Sequence, residues 1–139
     1  MTLSIRNQIP GTVTAVTPGE VMATVKVRLT GGQDITAAIT LESVEELGLT
    51  DGTAVRALVK STEVSLATAP VEGLSIRNQL PGTVTDVSTG GAMASVKVAV
   101  QAGELTSAIT RDAAQDLGLT SGTPVVALIK STEISLATV

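Results

Sequence analysis

Leu3-Ser4-Ile5-Arg6-Asn7-Gln8 returns unchanged as Leu74-Ser75-Ile76-Arg77-Asn78-Gln79, and each copy runs through one aliphatic residue into Pro-Gly-Thr-Val-Thr. Near the end of each copy, Lys60-Ser61-Thr62-Glu63 returns as Lys130-Ser131-Thr132-Glu133, followed by an aliphatic residue and Ser-Leu-Ala-Thr. The spacing is 71 residues at the first pair and 70 at the second, which places one missing residue near positions 102–104. A period of this kind makes the chain two copies of one supersecondary unit. The modules read as residues 1–69 and 70–139. The link Ala69-Pro70-Val71-Glu72-Gly73 is too short to let them roam, so they should sit side by side in a fixed relation.

Within a repeat, residues 13–16 begin the first extended stretch after a turn at Pro10-Gly11, and Thr17-Pro18-Gly19 breaks it. Val25, Val27 and Leu29 then alternate with Thr24, Lys26 and Arg28, the period-two signature of a half-buried strand. Gly31-Gly32 turns the chain into a third strand carrying Ile35, Ala37 and Ile39. Residues 40–48 predict a short helix capped by Thr40, with acids in its first turns and Gly48 as its left-handed stop. Ser43 with Glu46 offers a capping box as the alternative start. Leu41, Val44 and Leu47 share one face and should plug the end of a sheet. Strands at 54–60 and 63–68 then close the module. Five strands with a helix between the third and fourth predict an all-β chain of two tandem OB-type barrels. An open five-stranded sheet capped by a helix is the rival.

Composition limits the chemistry. Modules of this size bury a small fraction of their surface, and with no Phe, Tyr or Trp the cores are built from Val, Leu, Ile, Ala and Met. Association of several chains is therefore expected. The absence of Cys and His removes thiol nucleophiles, imidazole acid–base work and soft metal sites. No bare metal cation and no catalytic cofactor are expected. A net charge of −4 without a basic stripe or stacking aromatics argues against nucleic acid. No apolar run approaches the length of a membrane span, so no membrane partner is expected. Met1 stands just ahead of the first repeat with no charged-then-apolar leader, which gives the expectation of a free-standing cytoplasmic protein.

Three basic positions recur in both copies: Arg6 with Arg77, Lys26 with Lys97, and Lys60 with Lys130. Ser4, Arg6 and Asn7 offer a hydroxyl, a guanidinium and an amide in one irregular segment. Lys60, Ser61 and Thr62 add an ammonium and two hydroxyls where one strand ends and the next begins. Ser75, Arg77, Asn78, Lys130 and Ser131 repeat the set. Directional neutral donors with one or two cations are what a small oxyanion needs, although strand-end Ser and Thr also serve as plain turn formers. A Ser–Lys catalytic dyad at Lys60-Ser61 is disfavoured, because adjacent strand residues point to opposite faces. Glu45-Glu46 reads as a solvated helix face, and Thr89-Gly90-Gly91 as a hairpin turn without a phosphate-loop pattern.

Ser-Ile-Arg-Asn-Gln-[Ile/Leu]-Pro-Gly-Thr-Val, Leu-Gly-Leu-Thr-x-Gly and Lys-Ser-Thr-Glu-[Val/Ile] together resemble the Mop domain of the molbindins, over essentially the whole of each repeat. Two tandem copies resemble the di-Mop molbindins, small cytoplasmic proteins that store molybdate. The resemblance implies OB-type modules of which six surround a common axis, hence a homotrimer. It implies molybdate or tungstate bound at module and subunit interfaces by Ser4, Arg6, Asn7, Lys60, Ser61 and their second-copy counterparts, with no enzymatic activity. Backbone N–H groups of Val21, Met22, Ala23, Ala92, Met93 and Ala94 are further donors near that axis. Similar modules also serve as regulatory parts of molybdate-transport ATPases and molybdate-responsive repressors. A molybdate-sensing module acting on a protein partner is therefore the alternative, although the chain carries neither a phosphate loop nor a helix-turn-helix.

Overall fold

The alternation at 24–29 is realised in β2 (Met22–Leu29), whose residues are exposed and buried in strict turn. In the computed structural model, which describes residues 2–139, β2 lies between β1 (Asn7–Pro18) and β3 (Asp34–Thr40), antiparallel to both. The expectations attached to Met1 fall outside the described residues. After β3 come helix α1 (Leu41–Leu47), β4 (Ala54–Val59), a 3-10 turn (Ser61–Glu63) and β5 (Ser65–Ala67). The second repeat supplies β6 (Asn78–Thr89), β7 (Met93–Val100), β8 (Gly103–Thr110), α2 (Arg111–Asp116), β9 (Pro124–Ile129), a 3-10 turn (Ser131–Glu133) and β10 (Ser135–Thr138). The chain is all-β: two curled five-stranded antiparallel sheets of OB type, each with one short helix.

Strand β1 starts six residues before the expected position, so Pro10-Gly11 lies inside it rather than in a turn. A proline is tolerated there because the β2 ladder begins only at Gly11, while residues 7–12 pair with β4. One strand thus serves both halves of the curl, and a bulge between Val13 and Ala15 bends it. Gly11 is required by the tightness of that curl, since a Cβ would fall 2.7 Å from a Val27 methyl and 2.8 Å from the Arg28 carbonyl oxygen. The residue missing from the second repeat is absent from the hairpin loop between β7 and β8, where the spacing placed it.

Thr40, not Ser43, caps α1: its Oγ1 accepts from the Ser43 N–H at 3.1 Å, and Gly48 closes the helix at φ 64°. Val44 is buried and Leu41 packs beside it, but Leu47 is 37% exposed. Leu49, beyond the helix, takes the buried place expected of Leu47.

The largest departure concerns the strands expected to close each module. β5 does not join its own repeat. It pairs with β9 of the second repeat, Leu66 opposite Ala127, while β10 pairs with β4 of the first, Leu136 opposite Ala57. The sheet orders are therefore β10-β4-β1-β2-β3 and β5-β9-β6-β7-β8. The exchange buries Val64 and Ile134 almost completely, and a buried aliphatic side chain of this size contributes roughly 1.5–3 kcal/mol. One hydrophobic cluster consequently runs from Ile9 and Val59 through Leu80, Leu105 and Ile129 to Leu136.

Two buried asparagines seal the crossing. The Asn7 side-chain amide donates to the Thr106 carbonyl at 2.8 Å, and its Oδ1 accepts from the Thr106 N–H at 2.8 Å. Asn78 does the same for Thr36, at 2.9 Å and 2.8 Å. Each side chain imitates a strand neighbour and satisfies backbone groups on the sheet edges β3 and β8. Asn7→Ala leaves two backbone groups without partners, at about 1–3 kcal/mol each, so urea unfolding should show a loss of about 2 kcal/mol or more. Lys26→Ala, on an exposed strand position, should leave the same midpoint nearly unchanged.

Candidate anion-binding site

The strand exchange carries the recurring lysines to the contact between repeats. Lys60 and Lys130 each occupy the extended position just before a 3-10 turn, at φ −66° and φ −65°. In that position the lysine carbonyl accepts from the Glu63 or Glu133 N–H, and the side chain stays in solvent. Ser61 and Ser131 open the two turns and are half-buried.

Three of the five second-repeat residues come together. Ser75, Lys130 and Ser131 line one cleft of about 260 Å³ with Ile76 and Thr132. Asn78 lies beside it, its Nδ2 at 3.4 Å from the Ser131 Oγ. Arg77 does not join them: it lines a separate hollow of about 450 Å³ against the link 70–74 and Gln79. That link is itself held by Gln79, whose amide donates to the Val71 carbonyl at 2.9 Å and accepts from its N–H at 3.2 Å.

In the first repeat, Lys60 lines a smaller cleft of about 150 Å³ with Ile5 and Leu58, opposite Thr132, Glu133 and Ser135 of the exchanged segment. Ser4, Arg6 and Ser61 are not among its lining residues; Ser4 and Arg6 are exposed just ahead of β1. Asn7 and Asn78 are 2% and 4% exposed, and both carbonyl and amide groups of their side chains are engaged across the repeats. They hold the clefts' walls in place. The proposed backbone donors lie elsewhere, at the start of β2 and β7. Val21, Met22 and Met93 are 73%, 45% and 47% exposed, Ala92 is exposed, and Ala23 and Ala94 are buried in the ladder.

Among the described residues Arg6, Arg77, Lys60 and Lys130 share with Lys26, Arg56 and Arg111 the lack of an ion-pair partner; what sets Lys60 and Lys130 apart is their place in the clefts. Among the described residues the ion pairs are Arg28 with Asp34 at 2.9 Å and Lys97 with Glu104 at 3.9 Å, both across hairpins remote from the clefts. The Arg28 hydrogen bond holds the Asp34 carboxyl below the usual carboxylate range. Arg6, Arg77, Lys60 and Lys130 have no carboxylate within 4.0 Å, in a protein of net charge −4. Cations left unpaired beside hydroxyl donors are suited to an oxyanion. Among the described residues no group of three His, Cys, Asp or Glu is placed to hold a metal ion. No helix among them is long and apolar enough to cross a membrane.

Residues 3–66 and 74–136 match the TOBE domain. The chain belongs to the tandem Mop/TOBE molbindins. The molybdenum-pterin-binding protein MopB of Rhodobacter capsulatus is 42% identical over 136 residues, covering 96% of this chain and 50% of MopB. The molybdenum transport protein ModE of Azotobacter vinelandii is 41% identical over 138 residues, covering 99% of this chain and 51% of ModE. The chain thus spans about half the length of these curated relatives. The cytoplasmic molybdate-binding protein ModG, solved with molybdate bound, matches with a TM-score of 0.97 and 41% identity over 100% of both chains.

Sequence reasoning missed Thr36, Thr106 and Glu133, whose contacts exist only once the strands are exchanged. Repetition in both copies, Thr36 as Thr106 and Glu63 as Glu133, is the signal that marks them. Because Lys60 and Lys130 lie in solvent without ion-pair partners, Lys60→Ala and Lys130→Ala should each move the thermal unfolding midpoint by less than about 2 °C, measured without added oxyanion.

Proposed function

We propose that the protein is a non-catalytic, cytoplasmic store for molybdate or the similar tungstate, which it binds at module and subunit interfaces beside the two lysine-bearing turns. The observation that carries this reading is the cleft formed by Ser75, Lys130 and Ser131, where an ammonium without a carboxylate partner faces two hydroxyls. A tetrahedral dianion bound there exchanges water for directional neutral donors and one compensating charge. Lys60 supplies the same charge in the first-repeat cleft. Full-length likeness to ModG, whose structure holds molybdate, supports this choice of oxyanion and favours storage over the sensing alternative.

In this reading three chains surround a common axis. The exposed side chains of Val21, Met22 and Met93 form the apolar surface that a second and third copy cover, and the remaining donors, Ser4, Arg6, Ser61 and Arg77, complete sites shared between chains. The whole assembly has a mass of about 42 kDa, three times the 14.0 kDa chain.

Equilibrium dialysis with elemental analysis, paired with sedimentation velocity, tests both parts. The parent protein should sediment as a trimer and retain molybdate against millimolar sulfate. A charge-assisted hydrogen bond contributes roughly 1.5–3 kcal/mol, so the Lys60→Ala, Lys130→Ala double variant should bind molybdate roughly ten- to a hundredfold more weakly. Its sedimentation should be unchanged. Full binding by the double variant removes the lysines from the site, and a stable monomer at micromolar concentration removes the shared sites.

A further inference from the structure

Strand β8 of the second repeat grips the first repeat at two consecutive residues. The backbone of Thr106 is paired by the side chain of Asn7, next to Arg6. The Oγ of Ser107, with no exposed surface, donates to the Val64 carbonyl at 2.5 Å. Val64 terminates the 3-10 turn that begins at Ser61, directly after Lys60. Both ends of the first repeat's candidate donor set are therefore tied to β8.

The reciprocal arrangement lacks one of these ties. Thr36 on β3 is paired by Asn78, as expected from the repeat. The position equivalent to Ser107 is Ala37, equally buried but without a hydroxyl to reach the Ile134 carbonyl at the end of the second turn. The contact from Asn78 Nδ2 to Ser131 Oγ, at 3.4 Å, is too long to replace a short hydrogen bond. The two turns carry the same Lys-Ser-Thr-Glu sequence and both run into a ladder, yet only the first accepts a side-chain hydrogen bond at its far end among the described residues.

We propose that Ser107 is a positioning residue for oxyanion binding at the Lys60 site, fixing the turn that presents Lys60 and Ser61, and that Ala37 withholds the same hold from the Lys130 site. The proposal rests on the oxyanion-binding reading above. A turn already fixed in its bound geometry loses less conformational freedom when the anion arrives, so the tie raises affinity without touching the ligand. A tie serving stability alone would leave the affinities of the two sites in their original ratio.

The test uses the full chain and molybdate itself, titrated by calorimetry in two backgrounds. Lys130→Ala isolates the Lys60 sites, and Lys60→Ala isolates the Lys130 sites. Ser107→Ala should weaken the Lys60 sites by roughly three- to tenfold and leave the Lys130 sites unchanged. Ala37→Ser should strengthen the Lys130 sites by a similar factor. Equal weakening of both classes by Ser107→Ala, or no weakening, overturns the proposal while leaving the oxyanion reading intact. If Ser107→Ala does not fold, Ala37→Ser decides alone: a gain at the Lys130 sites supports the proposal and its absence overturns it. No molybdate uptake by the parent protein overturns the oxyanion reading and this inference with it.

Discussion

Each repeat gives its last strand to the other's sheet, and the remaining features of the molecule depend on that exchange. Without β10, β4 has an open edge along Val55–Leu58, and without β5 so does β9. Neither barrel is closed by its own sequence. The exchange also solves a problem of size, because a module with no aromatic side chain gains Ile134 and Leu136, or Val64 and Leu66, from its neighbour. Asn7 and Asn78 then make the crossing specific. Each buried amide accepts from a backbone N–H and donates to the C=O of the same threonine, so losing that register would leave the four side-chain groups unpaired.

The same crossing generates the clefts. Lys60 faces Thr132, Glu133 and Ser135 only because the segment 131–138 has left its own repeat. Arg28 and Lys97 find a carboxylate on their hairpins. The cations that recur beside the repeat boundaries do not, and the hydroxyl groups near them are directional donors of the kind an oxyanion takes in place of water. The chain has no imidazole and no thiol to place in those clefts.

Local features were legible in the sequence because they depend on neighbours along the chain. The period-two alternation of β2, the Thr40 cap and the Gly48 stop follow from side-chain periodicity and backbone sterics alone. The start of β1 was misplaced because a Pro-Gly pair ordinarily marks a turn. Here the missing N–H faces a stretch where β2 has not yet begun to pair. The strand exchange was illegible for a different reason. β5 and β10 are nearly identical in sequence, Ser-Leu-Ala in both, so either would fit either sheet and pattern cannot choose. The candidate residues were recognisable as a set, but their grouping was not: Arg77 stands with the link and Lys130 with Ser75, a division visible only in three dimensions.

The proposed oxyanion sites lie beside the turns that carry Lys60 and Lys130. Diffraction from crystals grown with molybdate, recorded above and below the molybdenum absorption edge, locates the bound atom without reference to any assigned role. Anomalous peaks are expected within hydrogen-bonding reach of the Lys60 and Lys130 ammonium groups, in the clefts formed with Ser75, Ser131 and the segment 132–135. Peaks confined to the outer faces of the hairpins, near Arg28 and Lys97, would contradict that placement.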